Sequence, residues 1–118
     1  MRRHDPAQCM VHMLNHAREA LTLARGRERR DLDRDRMLEL SLVRLVEVVG
    51  EAASRIDRAD QSRFPGIPWP QVTGMRHRLA HGYDTVDLQV LWDTVMDDFP
   101  TLIAALEGYL GRGADHTP

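Results

Sequence analysis

Apolar residues recur at steps of four and three along the middle of the chain, and this pattern constrains the fold more than any other feature. The first stripe comprises Leu38, Leu42, Leu45, Val49, Ala52 and Ile56. A second, adjacent stripe comprises Val43, Val46, Gly50 and Ala53. This spacing is typical of an amphipathic helix and predicts one helix from about Asp31 to Ile56. A helix that is apolar on two faces has one face more than a small core needs, so we expect the chain to dimerise.

The rest of the chain also has helical rather than strand-like patterning. Asp5-Pro6 predicts a helix start, because the aspartate can cap the helix and proline needs no N–H partner there. The proline-rich loop 64–70 packs Trp69 onto the bundle and leads into a helix from Gln71 to about His81. A further helix follows and is kinked or split at Pro100. The sequence therefore predicts an all-α, up-and-down bundle of four to five helices.

Length and composition limit the class of protein. With 118 residues the chain has room for one domain, which we assign to residues 1–112, followed by a flexible tail at 113–118. No apolar run approaches the roughly 20 residues that cross a bilayer, and the first residues lack a signal-peptide pattern. We therefore expect a cytoplasmic protein. The net charge is -2 and the isoelectric point is about 6.3, so nucleic-acid binding would depend on a local basic patch.

The reactive residue types exclude several kinds of chemistry. All 16 basic side chains are arginine, which leaves no lysine for Schiff-base or P-loop chemistry. Cys9 is the single cysteine and cannot form an internal disulfide. The spacing Cys9-x2-His12-x3-His16 brings three potential metal ligands near one helical face, but no fourth ligand is evident. A solvated or partner-facing surface is the simpler interpretation, so we predict neither a metal centre nor a cofactor.

The densest group of functional side chains lies in the segment 74–83, Gly-Met-Arg-His-Arg-Leu-Ala-His-Gly-Tyr. Arginine donates to two phosphate oxygens through its planar guanidinium group, and histidine transfers protons near neutral pH. Together these residue types suffice for metal-free RNA cleavage by internal transesterification. Tyr83 can stack on a base or bind the RNA backbone. The spacing alone also fits an amphipathic helix whose charged residues are merely solvated.

As a continuous helix, this segment would not bring all of its side chains to one face. Arg76 and Tyr83 would share a face, and His77 and His81 would form an i,i+4 pair. Arg76 and His81 would lie about 140° apart around the axis. Two such helices meeting across a dimer axis would combine them in one cleft. Arg78 stands where a zinc protease has glutamate, which removes that interpretation of the two histidines.

Four separated motifs resemble a known family. The segments 50–53 (Gly-Glu-Ala-Ala), 67–69 (Ile-Pro-Trp), 74–83 and 90–92 (Val-Leu-Trp) resemble, in the right order, the HepT-like branch of the HEPN superfamily. The resemblance covers about residues 8 to 110. It implies a helical bundle that dimerises so that two Arg-x4-His motifs face each other across a cleft. It also implies metal-independent endoribonuclease activity, with RNA as the substrate.

The resemblance further implies residue roles and a partner. Arg76 and His81 match the catalytic pair, with His77 and Arg78 in support. Tyr83 matches the tyrosine that a MntA-like nucleotidyltransferase antitoxin adenylylates to silence the toxin of a type VII toxin–antitoxin pair. The alternative is a non-catalytic HEPN-type module that binds and regulates a partner nucleotidyltransferase. A metal-binding bundle that uses the Cys9 cluster is a third, weaker hypothesis.

Overall fold

Helices account for nearly all regular structure in residues 5–80 and 85–111, which are the residues that the computed structural model describes. The elements are α1 (Pro6–Ala24), α2 (Asp31–Arg34), α3 (Arg36–Ser54), α4 (Arg58–Gln61), α5 (Trp69–Thr73), α6 (Met75–Leu79), α7 (Leu88–Asp93), a π-helical segment (Thr94–Asp98) and α8 (Phe99–Leu110). These residues form no strand, and Ala80 and Val86 make one isolated antiparallel bridge. The expected all-α class is confirmed. No helix in the described ranges has both the length and the apolarity that crossing a membrane requires.

The core is centred on α1 and α3, which run antiparallel. Cys9 near the start of α1 lies beside Ala52 near the end of α3, and Leu23 near the end of α1 lies beside Leu38 near the start of α3. Asp5 caps α1 as predicted, accepting a hydrogen bond from the Ala7 N–H. The face of α1 that points away from solvent is buried, and α8 packs against the same helix. These contacts make α1 and α3 the scaffold on which the shorter elements rest.

The second apolar stripe of α3 is covered by the chain itself. Val46 and Ala53 are fully buried, and Gly50 lies so close to α5 that an added Cβ would meet the Val72 carbonyl oxygen at 3.2 Å. Sequence periodicity shows that a face is apolar, but it does not show which neighbour covers it. The expectation that this stripe is a surplus face is therefore wrong, and the apolar pattern of α3 does not indicate a dimer. Dimerisation itself stays a prediction.

The predicted helix from Asp31 to Ile56 is two helices with a break at Asp35. Asp35 adopts an extended backbone, with φ −118° and ψ 95°, and its carboxylate accepts a hydrogen bond from the Leu38 N–H at 3.1 Å. It therefore caps α3. The other oxygen of the same carboxylate accepts from Arg27 Nη2 at 2.8 Å. An aspartate just before an apolar run is a helix-start signal, and here that signal outweighs the continuous periodicity.

The loop between α4 and α5 is anchored to α8, and Trp69 is buried as expected. Trp69 Nε1 donates to the Phe64 carbonyl at 3.0 Å. Phe64 packs edge-on against Tyr109 of α8, with ring centroids 5.1 Å apart. The Tyr109 hydroxyl accepts from the Gly66 N–H at 2.7 Å. These contacts fix the position from which α5 and α6 start.

The C-terminal helical run is interrupted close to Pro100, as the sequence predicts. The irregularity is a π-helical turn over Thr94–Asp98, directly before the helix that contains this proline in its first turn. Proline has no N–H for the preceding carbonyl, and its ring crowds the turn before it. A wider π turn relieves that crowding and commonly marks functional positions. The predicted tail at 113–118 lies outside the described residues.

Candidate active site

The helix α6 carries the basic end of the 74–83 motif. Met75 and Leu79 are buried, at 0% and 3% exposure, and they hold one side of the helix against the core. Residues four apart share a helical face, so the three residues between them turn away from that side. Arg76, His77 and Arg78 are all exposed. The short helix therefore presents two arginines and one histidine together at the protein surface.

The predicted helix from Gln71 to His81 is interrupted at Gly74. In a continuous helix the Gln71 carbonyl would accept the Met75 N–H. Here it accepts Nη1 of Arg78 at 3.0 Å. A Cβ on Gly74 would lie 3.1 Å from the Pro70 carbonyl oxygen and 3.5 Å from Arg78 Nη1, so glycine lets these groups approach. The break gives Arg78 a backbone partner that a straight helix would have occupied.

The helix also ends earlier than predicted, at Leu79. Ala80 is extended, with ψ 132°, and pairs with Val86 in the isolated bridge. The Asp87 N–H donates to the Leu79 carbonyl at 2.8 Å, which satisfies a carbonyl at the helix end. The predicted 140° relation between Arg76 and His81 assumed a continuous helix, so it does not apply. His81 and Tyr83, the second half of the predicted site, lie outside the described residues, as does Gly82.

Arg76 and His77 face no neutralising carboxylate in the described part of the chain. By contrast, most arginines of the α1–α3 connection form ion pairs, including Arg27 with Asp35 and Arg29 with Asp33. Unpaired cations at the surface attract anions, and a guanidinium group fits a phosphate especially well. The α6 surface can therefore bind a phosphodiester locally even though the chain carries a net charge of -2.

One acidic residue near α6 was not singled out from the sequence. Asp98 ends the π-helical segment and is partly buried. Burial raises the pKa of its carboxyl above the ordinary value of 3.8, whereas nearby Arg78 and a hydrogen bond from the Gln71 side chain lower it. Asp97 and Asp93 raise the same pKa by repulsion. No local sequence signal connects Asp98 to the motif, because the two lie on different elements of the chain.

The Cys9, His12 and His16 cluster does not form a metal centre. The three residues line a groove of about 190 Å³ between α1 and α3. His16 Nδ1 lies 2.7 Å from the His12 carbonyl oxygen, so that ring nitrogen has a backbone partner. Burial raises the pKa of the Cys9 thiol, which disfavours the thiolate that binds metals. Within residues 5–80 and 85–111, no three histidine, cysteine or carboxylate side chains converge on a common metal position.

Comparison with known proteins identifies the class to which this fold and motif belong. Residues 13–108 match the family described as "Ribonuclease HepT-like". The chain therefore belongs to the HepT-like ribonuclease family, and the resemblance seen in its four motifs is confirmed.

Similar proteins carry ribonuclease names. Over 73 residues the chain is 37% identical to "Probable ribonuclease HepT" of Thermococcus cleftensis, a match covering 62% of this chain and 66% of that protein. It is 25% identical over 107 residues to a "Putative RNase" of Methanocaldococcus jannaschii, covering 91% of this chain and 98% of that one. A "Putative RNase" of Caldanaerobacter subterraneus is 27% identical over 97 residues, with coverages of 82% and 87%. No solved structure matches the chain.

Proposed function

We propose that this protein is an endoribonuclease that cleaves RNA by internal transesterification, with Arg76 and His81 as its catalytic pair. The observation that carries the proposal is the α6 surface. It exposes Arg76, His77 and Arg78, which lie within the residues that match the family, and no described carboxylate neutralises Arg76 or His77. Because no described carboxylate pairs with them, Arg76 and His77 are available to bind the phosphodiester backbone.

In the proposed reaction Arg76 holds the scissile phosphate and stabilises the charge that develops on its oxygens. The 2′-hydroxyl attacks phosphorus while the bond to the 5′-oxygen breaks. His81 accepts the proton of the 2′-hydroxyl or protonates the leaving 5′-oxygen. The products are a 2′,3′-cyclic phosphate and a 5′-hydroxyl end. His77 and Arg78 support the site by adding positive charge next to Arg76. The reaction needs no metal, because arginine and histidine supply the charge stabilisation and the proton transfer.

The active form is proposed to be a dimer in which two copies of the motif face one cleft. The family resemblance supports this arrangement, whereas the second apolar stripe of α3 is covered within the chain and does not. A dimer would provide two copies each of Arg76 and His81 around a single phosphate. One histidine could then accept the first proton while the other donates the second.

Control by a partner enzyme is the remaining part of the proposal. A MntA-like nucleotidyltransferase would transfer AMP to the hydroxyl of Tyr83, two residues after His81. The added phosphodiester is negatively charged and bulky, so it would repel the RNA backbone from the cleft. The protein would then act as the toxin of a type VII toxin–antitoxin pair, with the nucleotidyltransferase as its antitoxin.

The test is RNA cleavage by the purified protein in the presence of EDTA. We expect fragments that end in 2′,3′-cyclic phosphate, and a loss of about a hundredfold or more in rate when Arg76→Ala and His81→Ala are combined. Arg34→Ala is the matched control, because it also removes an exposed arginine, but from α2 and not from α6. It should leave the rate unchanged. Undiminished cleavage by the double variant would contradict the catalytic assignment. RNA that is bound but not cut by the wild-type protein would favour the non-catalytic binding module.

Control at Tyr83 is tested with the Tyr83→Phe substitution and a MntA-like nucleotidyltransferase supplied with ATP. The variant keeps the aromatic ring and lacks the hydroxyl that would accept AMP, so it should cleave RNA as wild type does and escape silencing. Intact-mass measurement should show one added AMP on the wild-type chain and none on the variant. Normal silencing of the variant would show that control acts at another residue.

A further inference from the structure

One side-chain hydrogen bond spans the break between α5 and α6. Nη1 of Arg78, near the end of α6, donates to the backbone carbonyl of Gln71, in the middle of α5, at 3.0 Å. Gly74 separates the two helices. A Cβ at this glycine would crowd the Pro70 carbonyl oxygen at 3.1 Å and touch Arg78 Nη1 at 3.5 Å. The Arg78 side chain therefore ties α6 back to α5 over the glycine that divides them.

The two arginines of α6 have different surroundings. Both are exposed, but within residues 5–80 and 85–111 the Arg76 side chain forms no hydrogen bond or ion pair, whereas Arg78 is held by Gln71. A guanidinium group binds phosphate best through two parallel N–H donors, and Arg76 has all of its donors available in the described ranges. Arg78 has one donor committed to the backbone of another helix. Arg76 is thus the arginine that faces the substrate, and Arg78 is the one that restrains the helix.

We propose that Arg78 is a positioning residue of the RNA-cleaving site, whose hydrogen bond to Gln71 holds α6 in the orientation that presents Arg76 and His77 to RNA. The inference rests on the proposed ribonuclease function and gives Arg78 a more specific role in it than added positive charge. Arg78 need not touch RNA in this role. It acts through the helix that carries Arg76.

The helix α6 depends on restraints from outside itself. It has five residues, far fewer than the roughly 12 that an isolated helix needs to be even marginally stable in water. Met75 and Leu79 bury one side of it in the core. Apolar packing is not directional, so it leaves the helix some freedom to rotate and slide. A hydrogen bond weakens steeply when its angle changes, so the bond from Arg78 supplies the directional restraint that packing lacks.

The first test is Arg78→Met, which keeps an unbranched side chain and removes both the donor and the charge. We expect kcat to fall about ten- to a hundredfold, because small misplacements of catalytic groups have effects of this size. KM should change much less, and Tm should stay close to that of the wild type, because Arg78 is exposed. Arg34→Met is the matched control: it makes the same change at an exposed arginine of α2 and should leave kcat unchanged.

The salt dependence of RNA binding separates positioning from phosphate binding. A 2′-O-methyl RNA lacks the attacking hydroxyl, so its affinity can be measured without cleavage. Each phosphate contact on a single strand contributes about 0.7 to the slope of log affinity against log salt concentration. We expect Arg76→Met to reduce that slope by about this amount and Arg78→Met to leave it unchanged. An equal reduction in both variants would show that Arg78 binds phosphate, and would overturn the positioning role.

Hydrogen exchange tests the restraint on α6 directly, even if the wild-type protein does not cut RNA and the proposed function fails. The His77 amide donates to the Gly74 carbonyl at 3.1 Å, and the Ala80 amide donates to the His77 carbonyl at 3.3 Å. Exchange at both amides should be about two- to tenfold faster in Arg78→Met, the size expected for the loss of one hydrogen bond, and unchanged in Arg34→Met. Equal exchange in the two variants, or a kcat loss accompanied by an equal loss of folded protein, would overturn the inference.

Discussion

The α1–α3 pair consists of two uninterrupted helices of 19 residues each, whereas α5 and α6 have five residues each and are separated by Gly74. The long pair buries apolar stripes along its whole length, and its exposed charges mostly pair with each other. The short pair exposes Arg76, His77 and Arg78. Continuous helices give packing its regularity, while a broken helix frees carbonyls and side chains for other contacts. Stability therefore resides mainly in one region and the candidate chemistry in the other.

The carboxylates of the two regions also differ, because folding shifts their pKa values in opposite directions. Near the scaffold, the backbone N–H of Glu28 lowers the pKa of Asp31, and a hydrogen bond from Arg27 lowers the pKa of Asp35. Beside α6, burial raises the pKa of Asp98. The first two carboxylates are stabilised in their ionised form by folding, and the third is destabilised.

The largest effect on stability should come from truncating the scaffold. Leu42 is fully buried on α3, so Leu42→Ala should lower the free energy of unfolding by about 2–5 kcal/mol, measured by urea or thermal denaturation. Leu40 lies on the same helix and is 50% exposed, so Leu40→Ala should change the free energy of unfolding by no more than about 0.5 kcal/mol.

The same pair of variants tests the separation of the two regions. RNA cleavage per folded molecule should be equal in Leu42→Ala, Leu40→Ala and the wild type. A fall in cleavage by folded Leu42→Ala would show that the scaffold and α6 are coupled, and the distinction between them would then be wrong.

The scaffold could be predicted from the sequence because its signals are local. The Asp5 cap, the buried α3 residues and the burial of Trp69 all follow from periodicity and from proline or capping chemistry. The cover over the second α3 stripe could not be predicted, since it comes from the backbone of Val72 on a distant segment. Periodicity identifies an apolar face and leaves its neighbour unknown.

The candidate site could be predicted only in part, for the same physical reason. Arg76, His77 and Arg78 were singled out by residue type and spacing, and all three are exposed, while their role in the site stays a prediction. The break at Gly74 and the helix end at Leu79 depend on Arg78 reaching back to Gln71 and on the Asp87 N–H. Such contacts between segments leave no periodic pattern. The influence of Arg78 on the pKa of Asp98 could not be predicted either, because the two residues lie on different elements.

The smallest effects should appear in the pH dependence of stability, and they distinguish the two kinds of carboxylate. A lowered folded-state pKa means that Asp35 contributes stability above its unfolded value of 3.8, and that this contribution is lost as pH falls through the folded value. Thermal unfolding followed from about pH 5 to about pH 2 should therefore show Tm falling in the wild type. Below pH 3.8 the fall should be shallower in Asp35→Asn. Arg27→Gln should also make the fall of Tm shallower in that range, since it removes the guanidinium group that donates to Asp35.

Asp98 should act in the opposite direction and in a different range. Its raised pKa makes the folded wild type bind more protons than the unfolded chain above pH 3.8, which opposes the loss of stability on acidification. Asp98→Asn removes that opposition, so its Tm should fall more steeply than that of the wild type in the range just above pH 3.8. Changes of the same sign in Asp35→Asn and Asp98→Asn would contradict the opposite pKa shifts of the two carboxylates. Opposite changes would support them, because the sign depends only on whether folding favours or disfavours each charge.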